Sequence, residues 1–364
     1  MTAKPAEYFW VFKQTFKQLI LWGLCLGILT IVMMLKAYAR PDSGVKECIP
    51  IRMSFIQPWG DEYIPNQRIW RSELLSHQRL GVDEIILQWT LWSSDHSTEP
   101  KLPIWLESAI LAADDAGTKI WFGLRYDPGF IKGLRTKGQA YLDQRLSENR
   151  ALAKAIKSQL AYASHPDQVF AGWYIADEID SELLLDAKLN TLITSYVKRT
   201  RIALNEILPG PVAISGYTGM ETNAEKLAAR WNTLMNASSL DILLLQDGLG
   251  AKLMEPYSSR NLQRSINAAF QKQDHTVIPV VEIFEIDPRT PDFKTMPTKV
   301  GTMKRRLSNA RIKPDQSVAL FSLSSHVLKH DSKDSRDLAK FLQQNAQICQ
   351  QSELKVFNTQ NERD

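Results

Sequence analysis

From residue 50 onward, short apolar runs alternate with longer amphipathic stretches. The runs are "IRMSFIQPW" (51–59), "VDEIILQWTLW" (82–92), "KIWFGLRYD" (119–127) and "FAGWYIADE" (170–178). They continue with "PVAISGYTG" (211–219), "DILLLQDGLG" (241–250), "TVIPVVEIFE" (276–285) and "SVALFSLSS" (317–325). Each is nearly continuous in apolar character and rich in β-branched or aromatic residues, the pattern of strands buried on both faces. The stretches between them read as helices at 66–81, 103–117, 181–208, 223–237, 258–273, 298–312 and 332–350. Gly81 and Gly117 supply stop signals, Pro103 opens its helix, and Asp180 is placed to cap the helix that follows it. The segment 133–165 has room for two helices.

Eight strands, each followed by a helix, predict a (β/α)8 TIM barrel. A doubly wound sheet usually carries a glycine-rich first turn, and "QPWGDEY" after the first strand is not one.

The N-terminus adds a different element. "QLILWGLCLGILTIVMML" runs eighteen residues without a charge between Lys17 and Lys36, about the shortest length that spans a bilayer as a helix. The expected organisation is a cytoplasmic segment (1–17), a transmembrane signal-anchor (18–36), a linker (37–49), the barrel (50–353) and a flexible polar tail (354–364). A signal peptide cut near Ala39, after "AYA", is the alternative; the length of the run and the nearby Lys36 favour the anchor. Lys4, Lys13 and Lys17 before the run balance Lys36, Arg40 and Lys46 after it, so charge counting sets no orientation. Either reading carries the barrel across the bacterial inner membrane into the periplasm. An oxidising compartment permits a bridge between Cys48 and Cys349, which barrel closure brings into one neighbourhood; Cys25 lies inside the apolar run.

The net charge of +4 on 364 residues is small, and no basic run interleaved with aromatics suggests nucleic acid. Absence of a P-loop, an H-E-x-x-H helix and a G-x-S-x-G elbow removes nucleotide hydrolase, zincin and serine hydrolase readings, and no cofactor is expected. His326, His330 and Asp331 in "HVLKHD" have a spacing that could hold a divalent ion, against a plainer reading as exposed loop histidines.

Active sites of such barrels collect at the C-terminal strand ends. Those ends offer Gln57, Trp59, Gln88, Trp89, Trp92, Arg125, Tyr126, Asp177, Tyr217, Gln246 and Asp247, a polar, aromatic and acidic rim. Flat aromatic faces with amide and carboxylate hydrogen bonders match the apolar faces and hydroxyl edges of sugars. Glycoside hydrolysis needs two carboxyl groups. Glu178 ends the fourth strand as general acid/base candidate, and Glu282 inside "VVEIFE" is the nucleophile candidate, with Glu285 as substitute. The structural alternative is an ion pair with Arg125.

An acid/base Glu on strand four and a nucleophile Glu on strand seven resemble the clan of retaining barrel glycosidases, although Asp177 stands where that clan carries Asn. More closely, "FIQPW", "VDEIILQWT", "GWYIADEID", "PVAISGY" and "DILLLQDGLG" resemble a bacterial family of barrel glycoside hydrolases of unassigned function, some encoded beside exopolysaccharide genes. The resemblance implies a polysaccharide or oligosaccharide substrate and exopolysaccharide synthesis machinery as a partner. A barrel that binds polysaccharide without cutting it, as a subunit of a synthesis or export complex, is the alternative.

Overall fold

Eight parallel strands close into a barrel in sequential order. They are β1 (Ile51–Ile56), β2 (Glu84–Leu87), β3 (Lys119–Gly123), β4 (Phe170–Asp180), β5 (Val212–Tyr217), β6 (Ile242–Gln246), β7 (Thr276–Glu282) and β8 (Val318–Phe321). Each falls within one of the apolar runs, because a parallel strand covered by helices on its outer face has no polar side to show. This computed structural model describes residues 48–361 apart from 60–65, 93–97, 219–222, 272–274 and 291–293, with side chains described as far as residue 352. The membrane helix expected at 18–36 lies outside the described residues; among these, no helix is long and apolar enough to cross a membrane.

Two apolar clusters divide the strand side chains by direction. The inner one, including Met53, Phe55, Ile86, Trp121, Tyr174, Ala176, Ala213, Leu244, Val280 and Ala319, fills the barrel. The outer one seats Ile56, Leu87, Ile175, Ile179, Ile214 and Leu245 against the helices. Strand alternation assigns these directions, and the same rule sorts the residues at the strand ends.

Several elements differ from the sequence expectation. The run at 82–92 splits: β2 ends at Leu87, and Leu91–Trp92 forms a separate pair with Arg125–Tyr126, in register Leu91↔Arg125 and Trp92↔Tyr126. Segment 133–165 holds the ends of helices Phe130–Lys137 and Gln139–Leu160, broken at Gly138, whose φ of 55° suits glycine. The helix expected over 181–208 is two, Ser181–Leu185 and Ala187–Ile207. Asp180 caps the first through the Leu183 amide, and Asp186 caps the second through the Lys188 and Leu189 amides, which interrupts the ladder. Beyond β7, Phe284–Ile286 pairs antiparallel with Thr295–Pro297. The last helix runs Lys333–Asn361, into the stretch expected to fray; "SELKVFNTQ" contains no proline or glycine to stop it.

At the N-terminal end of the barrel, Cys48 and Cys349 are joined as a disulfide across 301 positions of sequence. Asn345 reinforces this seam, donating to the Ile49 carbonyl at 2.8 Å and accepting from the Ile49 amide at 3.1 Å.

Candidate functional site

The "ADEID" end of β4 separates its carboxylates by direction. Asp177 turns outward, where Arg145 Nη2 donates to it at 2.7 Å and the Tyr196 hydroxyl at 2.5 Å. Arg145 also donates to the Arg125 carbonyl (2.5 Å) and to Glu148 (3.1 Å), in a network buried between barrel and helices. Asp177 is therefore not a sugar contact, contrary to the sequence expectation: its lone pairs are spent on the scaffold. Arg125 is likewise displaced from the expected site. Its Nε lies 3.9 Å from Glu148, on the helix side, and no ion pair with Glu178 or Glu282 is found among the described residues.

Glu178, next in the chain, takes the inward direction. No hydrogen bond or ion pair reaches its carboxylate among the described residues, and burial, then the charge of Asp180, pushes its pKa up. Its charge acts in turn on Tyr126, Tyr174 and Tyr217, so these four groups share one space. Burial, followed by Glu178, pushes the Tyr126 hydroxyl up to about 12. Tyr174 shares a 2.5 Å hydrogen bond with Ser215. Neither Tyr174 nor Ser215 was singled out as a sugar contact from sequence, although stepping back by fours and twos along β4 and β5 reaches both.

Beside these tyrosines stands an aromatic shelf. The rings of Trp59, Trp89 and Trp92 lie 4.6 to 4.8 Å apart, and Tyr126 stacks on Trp92 at 4.4 Å and 20°. Trp59 and Trp92 keep 40% and 43% of their surface exposed, while Trp89 is buried behind them. The tryptophans from the ends of the first two strands thus converge. Gln57, Gln88, Tyr217 and Gln246 also fall on inward positions, by alternation from Phe55, Ile86, Ala213 and Leu244. The Oε1 of Gln88 and Nε1 of Trp89 are buried without a hydrogen-bond partner.

Glu282 ends β7 inward, 3% exposed, and its Oε2 accepts from the Ala251 amide at 2.8 Å. The loop after β6 makes this possible: a Cβ on Gly250 would stand 2.6 Å from the Phe284 carbonyl and 2.9 Å from the Glu282 Cβ. Asp247, fully buried, accepts from the Leu249 and Glu282 amides. Burial raises both carboxyls. Loop amides and Arg306 offset part of this for Glu282; for Asp247 the charge of Glu282 adds to burial, against Arg306 and the Leu249 and Glu282 amides. Glu285 is no substitute for Glu282, since Thr298 and Arg306 donate to its Oε1 at 2.8 and 2.9 Å.

The metal alternative fails on geometry. Far from an exposed loop, His326 is buried and stacked on Phe284, with Nε2 against Thr295 Oγ1 (2.9 Å) and Nδ1 against the Ser322 carbonyl (3.2 Å). Asp331 pairs with Arg336. No group of three potential ligands converges among the described residues.

A family model described as "Domain of unknown function (DUF4434)" matches residues 51–334, from the first barrel strand to the start of the last helix. The chain belongs to the DUF4434 family. Its likeness to the "Uncharacterized protein YbcH" of Escherichia coli K12 is 30% identity over 145 residues, 40% of this chain and 48% of that protein, so the chain spans about half that relative's length. Among solved structures, one described as "a putative alpha-L-fucosidase from Bacteroides thetaiotaomicron" superposes with a TM-score of 0.64 at 18% identity. The match covers 83% of this chain and 95% of the other. At that identity the likeness establishes the shared fold alone.

Proposed function

We propose that this DUF4434 barrel is a glycoside hydrolase acting on a polysaccharide, with Glu178 as general acid/base. One observation carries the reading: an inward carboxyl with no hydrogen-bond or ion-pair partner among the described residues, its pKa raised by burial and Asp180, shares the barrel mouth with an exposed tryptophan shelf. A raised pKa suits a carboxyl that gives a proton to a leaving oxygen and takes it back from water. Glu282, inward on β7 with the Ala251 amide donating to its Oε2, is the candidate for the second carboxylate. We place the barrel outside the cytoplasm, tethered by residues 18–36 and acting in exopolysaccharide production or turnover. The Cys48–Cys349 bridge suits an oxidising compartment.

A second reading has its own support. The groups acting on Glu178 and those acting on Glu282 are separate sets, whereas carboxyls at the spacing of a retaining pair, about 5 Å, repel each other. That favours a barrel that grips polysaccharide without cutting it. The test incubates the protein and its Glu178→Gln variant with a panel of bacterial exopolysaccharides and measures new reducing ends. Cleavage abolished in the variant supports the hydrolase; equal cleavage by both removes Glu178 from the chemistry; binding without cleavage by either establishes the second reading.

A further inference from the structure

Resting on the carbohydrate reading above, we infer that the barrel mouth selects sugars bearing a free ammonium group, that is hexosamine units with unacetylated nitrogen, over neutral or uronic sugars. The chain as a whole is basic, with a net charge of +4, yet its mouth is not. Glu178 points inward, and Asp180 stands opposite Tyr217 in the β4–β5 register. The neighbouring cations are committed elsewhere. Arg145 holds Asp177, Arg306 donates to the Glu282 and Phe284 carbonyls and to Glu285, and Lys329 pairs with Glu73 at 3.4 Å. Arg289 chelates Asp287 through two nitrogens at 2.7 Å. Lys252 and Lys294 lie on exposed loops.

The tyrosines lining the mouth report the same sign. Burial comes first for Tyr126, Tyr174 and Tyr217, and the charges named as acting on them come from carboxylates and, for Tyr174 and Tyr217, from Tyr126.

Two further features point to the ligand. Gln88 is 5% exposed, and its Oε1, on the inward register two residues past Ile86, has no hydrogen-bond donor. An ammonium is donor-only, with three N–H groups, and complements an orphan acceptor in a mouth that also carries inward carboxyls better than a hydroxyl that must also accept. The Trp59, Trp89, Trp92 and Tyr126 rings supply the electron-rich faces that attract ammonium groups, most strongly where water is excluded. A uronate in the same place would meet Glu178 and Asp180 with like charge.

The experiment titrates the full-length protein, followed by tryptophan fluorescence and calorimetry, with β-1,4- and β-1,6-linked glucosamine hexamers. Their N-acetylated counterparts and an oligogalacturonate of equal length complete the set. At about 20 mM salt the free-amine hexamer of the accepted linkage is expected to bind about tenfold tighter than its acetylated twin. At about 0.5 M salt, where screening reaches only a few ångströms, that advantage shrinks. Glu178→Gln should lower the preference several-fold, and Trp92→Ala should weaken both hexamers. Equal or tighter binding of the acetylated or uronic hexamer overturns the charge selection and leaves the carbohydrate reading standing. Amine binding that survives both substitutions unchanged also overturns it, because the contact is then general surface attraction. No binding of any hexamer overturns both.

Discussion

Asp177 gives the sharpest test of how the strand end is built. It is 1% exposed and Arg145 is fully buried, with 2.7 Å between the charged atoms. Asp177→Asn keeps the shape, removes the charge and leaves the guanidinium in a water-free layer. Breaking a buried pair by removing one partner costs about 3–5 kcal/mol. The low end applies here, because Glu148 still faces the other guanidinium nitrogen at 3.1 Å. About 3 kcal/mol on a barrel of this size lowers the midpoint of thermal unfolding by about 6 °C. Removing both charges, as Asp177→Leu with Arg145→Met, should cost less than the sum of the single changes, the sign of a direct coupling. Urea and thermal unfolding of the parent, Asp177→Asn, Asp177→Leu, Arg145→Met and the double variant measure this, with carbohydrate affinity in parallel, which should stay within about twofold of the parent for Asp177→Asn. An Asp177→Asn protein of unchanged stability that no longer binds carbohydrate would return Asp177 to the site and refute the assignment of direction along β4.

Three further outcomes follow from the same geometry. His326 is held neutral, its pKa lowered by burial from 6.5 to about 4. A depressed pKa means the unfolded chain binds more protons, so this stabilisation is complete above pH 6.5 and is lost as pH falls towards 4. His326→Gln should flatten that acid limb of the stability profile by on the order of 2–3 kcal/mol, provided the fold survives the change, and an unchanged limb refutes it. Gly250→Ala places a Cβ 2.6 Å from a carbonyl oxygen and against Glu282. It should cost about 1–3 kcal/mol and, if the barrel cleaves, lower turnover more than tenfold through a displaced Glu282; full turnover would detach the loop from the chemistry. Cys48→Ser with Cys349→Ser opens a closure spanning 301 positions and should lower stability by about 3–5 kcal/mol, an effect that reductant mimics in the parent and does not add to in the variant.

The fold was legible because its signal is repeated. Eight buried strands and their helices each carry the same apolar pattern, and an error in one element is outvoted by the others. The splits went unread for the opposite reason: each is a local event. One aspartate, Asp186, competes for two amides and ends a helix that hydrophobic spacing would continue. The Leu91–Trp92 and Arg125–Tyr126 pair is only two residues a side, too short to show a period.

The site was half legible, and the missing half is a matter of direction. Residue types at strand ends singled out the tryptophans that the structure gathers and the Glu178 that it turns inward, but a list of strand ends mixes two faces, one looking into the mouth and one into the helix layer. Parity from Tyr174 and Ala176 places Glu178 inside and Asp177 outside. What parity could not supply is the partner: Arg145 lies 32 positions away on a helix with no motif of its own. This also explains why an apolar strand runs into three carboxylates. Asp180 caps the next helix, Asp177 pins the strand to the helix layer, and both fix the backbone on either side of Glu178, the one carboxyl of the three without a partner among the described residues. An unpaired, half-buried Glu178 costs stability unless it has a use, and the chain spends two neighbouring aspartates holding it in place.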